Sequence, residues 1–257
     1  MREETRQVGG CDVLVERFGA GPPLVVLHGE EGPIPARPFL EALGEHFEVH
    51  APRHPGWRGS SRPRHVSSVR DVALVQQEYL ESLDQPAAVV GLSFGGWVAA
   101  EIAANAPALI SHLVLVSPIG IKVGGREDRD FVDIYLTPPG QRTSVYRAAL
   151  DDERRPDLSN EWLLEKATAD EAVARYCWKP YMHDPTLAGR LRRIKAPTVI
   201  VSARGDAFVL NPKYFENYAQ LIAGARQVQM DGGHRLEEEQ PRALAEVVRT
   251  AAQSKRR

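Results

Sequence analysis

The chain has 257 residues, a length that suits one α/β domain carrying an insertion better than two independent domains. Apolar residues make up 43% and charged residues 26%, the balance of a folded soluble protein rather than a disordered or membrane-spanning one. A formal net charge of -2 gives no electrostatic reason to expect nucleic acid or an anionic membrane as partner, and the two cysteines, Cys11 and Cys177, fit neither a disulfide framework nor a zinc spacing.

In chain order, the opening MREETRQVGG is charged and polar, without the apolar stretch of a secretory signal, and no later run approaches the roughly 20 apolar residues of a membrane span. A cytoplasmic protein is expected. Short apolar runs follow at 13–18, 24–28, 47–51, 87–92, 112–117, 198–203 and 227–230. Several are apolar throughout, as strands buried on both faces of a parallel sheet are. Between them Val69, Val72, Ala73, Tyr79, Leu80 and Leu83 recur at helical spacing, and 94–106 reads as a helix buried against the sheet. This alternation predicts an α/β fold with a mostly parallel, doubly wound sheet. It breaks over 122–187, where proline turns, charges and Phe131, Tyr135, Tyr146, Trp162, Tyr176, Trp178 and Tyr181 collect without an amphipathic stripe. The expected division is a core of residues 1–121 and 188–257 with an inserted helical segment, 122–187.

The densest chemistry lies in VVGLSFGGW, residues 89–97. Gly-x-Ser-x-Gly between a buried strand and a helix is a nucleophile elbow, a turn so tight that side chains two residues either side of the serine collide. Gly91 and Gly95 meet that demand, and Ser93 is presented at a helix N-terminus whose dipole favours negative charge. A serine hydroxyl needs a base, and the base needs an orienting acid. His234, in MDGGHRLEEEQP, and Asp206, in VIVSARGDAFV, each follow a strand candidate, at the strand ends where open parallel sheets build their sites. Asp231 is assigned to the turn, His46, His50, His54 and His65 to surface or loop positions, and His183 to a structural role. The turn LVVLHGEEG offers the backbone N–H of Glu30, opposite that of Phe94, as an oxyanion hole.

Through LHGEEG, PRHPGWRGSSRP, GLSFGG, RIKAPTVIVSARGDAFV and GGHRLEEEQP the chain resembles the α/β-hydrolase superfamily, in its capped, small esterase-like branch. The resemblance implies Ser93 as nucleophile, Asp206 as acid, His234 as base, the N–H groups of Glu30 and Phe94 as oxyanion donors, and a helical cap over the site. It implies no cofactor and no metal, and a small molecule as substrate; oligomeric state stays open. Two departures stand out. Arg53 and Arg58 occupy places where many relatives carry Asp and Gly, and the oxyanion loop holds two acids, Glu30 and Glu31, expected to point outward or pair with a loop arginine.

A serine at the elbow suits acyl transfer and counts against the dehalogenase and epoxide hydrolase chemistry that uses aspartate there. Hydrolysis of a small carboxylic ester, thioester or lactone is the expected activity. The alternatives are carbon–carbon bond hydrolysis of a vinylogous diketone, a hydroxynitrile lyase, and a ligand-binding member without catalysis. Trp162, Tyr176, Trp178 and Tyr181 are the expected apolar wall above Ser93.

Overall fold

The computed structural model describes residues 1–146 and 160–253. A hairpin of β1 (Arg2–Val8) and β2 (Cys11–Phe18) leads into β3 (Pro23–Leu27), α1 (Arg37–Gly44), β4 (Glu48–Pro52), α2 (Val69–Glu81), β5 (Ala87–Leu92), α3 (Phe94–Asn105) and β6 (Ile110–Val116). Helices α4 (Pro139–Tyr146), α5 (Asn160–Cys177) and α6 (Leu187–Arg190) come next. The chain closes through β7 (Thr198–Ala203), α7 (Tyr214–Gln220), β8 (Arg226–Met230), α8 (Leu236–Glu239) and α9 (Pro241–Ala252).

The strands form one sheet in the order β1-β2-β4-β3-β5-β6-β7-β8. The pairs β1–β2 and β2–β4 are antiparallel and the rest are parallel. Every residue of β5 and β7 is buried, because helices cover both faces of the sheet. The strand period of two divides the side chains. Val25, Leu27, Val89, Leu113 and Leu115 pack on one face with α2 and α3. Leu24, Val26, Val90, Leu92, Val114 and Val116 pack on the other with α1 and α9.

Each helix carries the face its place requires. In α9 only Leu244, Ala245, Val248 and Ala251 are buried, a stripe at helical spacing. In α3 everything from Phe94 to Ala104 is buried, including Glu101, whose Oε1 accepts from Arg190 Nη2 at 2.8 Å. A Ser68–Asp71 capping box starts α2.

Two features differ from the sequence reading. The charged opening, not among the predicted strands, is β1, paired with β2 along all seven of its residues. Its polar composition is that of an edge strand, and Gly9 and Gly10, with φ of 56° and 70°, supply the two-residue hairpin turn. His50, expected at the surface or in a loop, is buried in β4, and His54, in the loop after β4 as expected, is buried as well. His50 Nδ1 lies 2.7 Å from the Tyr79 hydroxyl, and His54 packs against His28 with ring centroids 4.1 Å apart. Burial drives the His54 imidazole down to about 3, so this pair is neutral support under the site.

Between β6 and β7 no described residue adds a strand to the sheet. Helix α5 is tied to the loops that follow β3 and β4. Tyr176 donates its hydroxyl to the Pro55 carbonyl at 2.9 Å, Glu165 accepts from Arg53 at 3.0 Å, and Glu171 accepts from Arg62 at 2.7 Å. Among the described residues no helix is long and apolar enough to cross a membrane.

Candidate active site

The turn from β5 to α3 is as tight as its glycines require. A Cβ at Gly91 would lie 2.5 Å from the Gly95 carbonyl oxygen, and one at Gly95 would lie 2.0 Å from that of Leu27. Between them Ser93 adopts φ 45° and ψ -105°, a conformation that costs a non-glycine residue about 1–3 kcal/mol. The strain is held by neighbours: Ser93 N–H donates to Val116 at 2.9 Å, and its carbonyl accepts from Gly96 at 2.9 Å.

From this turn the three side chains meet. Ser93 Oγ lies 2.7 Å from His234 Nε2, and His234 Nδ1 lies 2.7 Å from Asp206 Oδ2. His234 arrives on the turn after β8 and Asp206 on the turn after β7. The other Asp206 oxygen accepts from Phe208 N–H at 3.0 Å and Val209 N–H at 3.1 Å, which fixes the carboxylate. Burial alone would lower His234, but the charge of Asp206 and its hydrogen bond, with Glu30 and Glu237 nearby, outweigh it and raise the imidazole overall. Asp231 is not part of this group: its side chain is 80% exposed and pairs with Arg204.

The loop after β3 holds a correction. Glu31 behaves as expected, meeting Arg235 Nη1 at 2.7 Å. Glu30 does not point outward. Its carboxyl is buried, with Oε1 2.6 Å from Ser93 Oγ. Gly29 to Gly32 form a turn closed by a 3.2 Å backbone bond, and Trp57 Nε1 donates to the Glu30 carbonyl at 2.8 Å. These contacts fix the Glu30 peptide, while Glu31 already takes the arginine. Phe94 opens α3, so its N–H is one of the first-turn donors that no helix carbonyl satisfies.

Three of the aromatics expected as a wall above Ser93 have contacts of their own. Trp178 is 57% exposed and lines an outer cleft of about 280 Å³ with Phe131, Tyr181 and His183. Tyr181 spends its hydroxyl on the Val132 carbonyl and the Ile134 N–H, at 2.8 and 3.1 Å. Tyr176 stacks on Trp57 with centroids 6.1 Å apart. Both hold loops together, because a phenol buried in a protein needs a polar partner and the backbone supplies it. The Trp162 side chain lies outside the described residues.

The rings beside His234 are Phe208, 4.8 Å away, and Tyr146, 5.9 Å away. The Arg235 guanidinium lies 4.0 Å over the Tyr146 ring. Phe208 and Arg235 were within reach of a sequence reading, two residues past Asp206 and one past His234. Tyr146 had no such signal, since it comes from a helix distant in sequence. Among the described residues no cluster of three or more His, Cys, Asp or Glu is grouped to hold a metal ion.

Residues 24–247 match the alpha/beta hydrolase family. The chain belongs to that family. The pimeloyl-[acyl-carrier protein] methyl ester esterase of Aeromonas salmonicida is 32% identical over 212 residues, covering 77% of this chain and 82% of that protein. The protein of the same name from Vibrio campbellii is 36% identical over 104 residues, 40% of this chain. That match, like those to three other Vibrio relatives, spans about two fifths of the relative's length. Among solved structures, the enol-lactonase from Burkholderia xenovorans LB400 superposes with a TM-score of 0.74 at 20% identity, over 98% of this chain and 100% of that one, and so shares the fold.

Proposed function

We propose that this member of the alpha/beta hydrolase family hydrolyses a small carboxylic ester, thioester or lactone through an acyl-enzyme on Ser93. The observation that carries the proposal is the 2.7 Å pair of contacts from Ser93 to His234 and from His234 to Asp206, built on a strained elbow. Strain of this kind persists where the surrounding structure holds it in place, and it collects at working sites. In this reading His234 takes the serine proton as Oγ attacks the carbonyl carbon, and Asp206 fixes the imidazole with its Nδ1 proton inward. His234 then returns the proton to the leaving group, and water repeats the cycle on the acyl-enzyme. The backbone N–H groups of Glu30 and Phe94 are the proposed oxyanion donors, and residues 122–187 the proposed cap.

Relatives named as methyl ester esterases support an ester as substrate and put methyl esters first among those to try. The test is turnover of methyl and aryl esters of graded acyl length by the wild type and by Ser93→Ala. Hydrolysis that depends on Ser93 is the expected result. Equal rates for the two proteins would remove the proposal.

A further inference from the structure

Three short contacts run in series through the site. Glu30 Oε1 lies 2.6 Å from Ser93 Oγ, Ser93 Oγ 2.7 Å from His234 Nε2, and His234 Nδ1 2.7 Å from Asp206 Oδ2. Each needs a proton between its two heavy atoms. A serine hydroxyl, a neutral imidazole and two carboxylates bring only two, one on Ser93 and one on His234. The closed chain therefore holds one proton more than a Ser-His-Asp triad alone.

Two of the places that proton can take at the same total charge keep His234 Nδ1 donating to Asp206. On His234 it makes an imidazolium that donates to Oγ, and the serine then donates to an ionised Glu30, away from its base. On Glu30 it makes a carboxylic acid that donates to Oγ, and the serine proton points at a neutral His234. Only the second arrangement is ready for attack.

We propose that Glu30 is a fourth catalytic group, which carries the extra proton in the reactive state and donates a hydrogen bond to the oxyanion. This rests on the acyl-enzyme reading above. As Oγ bonds to the carbonyl carbon, the carbonyl π pair moves to oxygen and the serine proton passes to His234 Nε2. Glu30 keeps its own proton, turning the O–H from Oγ to the oxygen that has become negative. When the intermediate collapses, the electron pair returns to the carbonyl, the bond to the leaving group breaks, and that group takes the proton from His234. A neutral carboxylic acid serves as an oxyanion donor in this way where its surroundings disfavour the charge.

The surroundings of Glu30 fit that role. Its side chain is buried, and an ionised carboxylate there would oppose the oxyanion. The titratable and charged groups that interact with it electrostatically are Tyr146 of α4, Cys177 at the end of α5 with Tyr181 beyond it, His234 and Arg235 after β8, and Glu237 of α8. Arg235, the cation of this group, is already engaged by Glu31 at 2.7 Å and Glu238 at 3.5 Å. The Tyr146 hydroxyl is buried with no hydrogen-bond partner among the described residues, so it offers Glu30 no competing bond.

A triad alone gains rate with pH until its histidine is neutral and then stays level. With Glu30 the rate must also fall on the alkaline side, about tenfold per pH unit once the extra proton leaves. The experiment measures inactivation by a fluorophosphonate against pH, and the NMR titration of the His234 imidazole, in the wild type and in Glu30→Gln. The glutamine amide donates at every pH, so the bell-shaped wild-type profile should become a rise to a plateau. His234 should stay protonated to higher pH in the wild type than in the variant.

Matching profiles and matching titrations in the two proteins overturn the proposal. So does a level alkaline arm in the wild type alone, which keeps the test decisive if the variant does not fold. Failure of the reagent to modify Ser93 in either protein instead removes the acyl-enzyme reading. The His234 titration then still decides whether Glu30 and His234 share the proton.

Discussion

Asp206 has both carboxylate oxygens engaged, one by His234 and one by two backbone N–H groups, whereas Asp231 has its carboxylate at the surface with Arg204. Exchange at the two positions should therefore differ sharply. Asp206→Asn should lower kcat by about 10⁴ through the wrong imidazole tautomer. Asp231→Asn should cost less than about tenfold, or about 1.4 kcal/mol of barrier. Steady-state kinetics on one ester ranks them, and the reverse order would contradict the proposed triad. Glu237 carries a prediction about stability. Burial, only partly offset by a backbone hydrogen bond, Arg235 and His234, raises its carboxyl from 4.5 to about 7. Between those values the folded protein holds a proton that the unfolded chain has released. The stability this group contributes is complete below pH 4.5 and is lost as pH rises through about 7. A span of this size corresponds to about 3 kcal/mol. Glu237→Gln should remove the loss, so its Tm advantage over the wild type should grow from pH 5 to pH 8, while parallel melting curves across that range would count against it.

At the scale of elements, α5 joins the core through an apolar stripe of Ala169, Ala172, Val173 and Tyr176, and a buried charged cluster adds to that attachment. Arg53 donates to Glu16 of β2 at 3.1 Å and to Glu165 of α5 at 3.0 Å, with all three side chains buried. Arg53→Met leaves two carboxylates without this partner and should cost about 3–5 kcal/mol in denaturant unfolding. A loss below about 1 kcal/mol would show that the cluster is solvated and weak. The contacts of the aromatics in 122–187 are not legible in the sequence. Tyr176 and Tyr181 turn their hydroxyls to backbone groups of other loops, and Trp178 faces outward, neither of which a one-dimensional pattern records. Trp178→Ala should accordingly leave acyl-chain preference across an ester series unchanged. A shift in that preference would restore Trp178 to the substrate wall.

Across the whole molecule, the parts legible in the sequence are those fixed by burial on both faces or by steric necessity. β5 and β7 are buried along their whole length and carry mostly apolar residues, and the sequence marks both with the boundaries the structure gives them. The elbow was legible because only glycine fits at Gly91 and Gly95. His234 and Asp206 could be picked from their rivals because strand ends on one edge of a parallel sheet are neighbours in space. β1 was missed because an edge strand exposed on most of its length has the composition of a loop. The inward turn of Glu30 was missed because it depends on Trp57 holding a carbonyl and on Glu31 taking Arg235, contacts that join distant parts of the chain. Everything proposed for this architecture converges on one oxygen atom. The most direct measurement is peptide mapping by mass spectrometry after treatment with a fluorophosphonate. The account predicts a single adduct on Ser93, absent in Ser93→Ala and slowed by orders of magnitude in His234→Ala. An adduct on another residue, or equal labelling of Ser93→Ala, would contradict it.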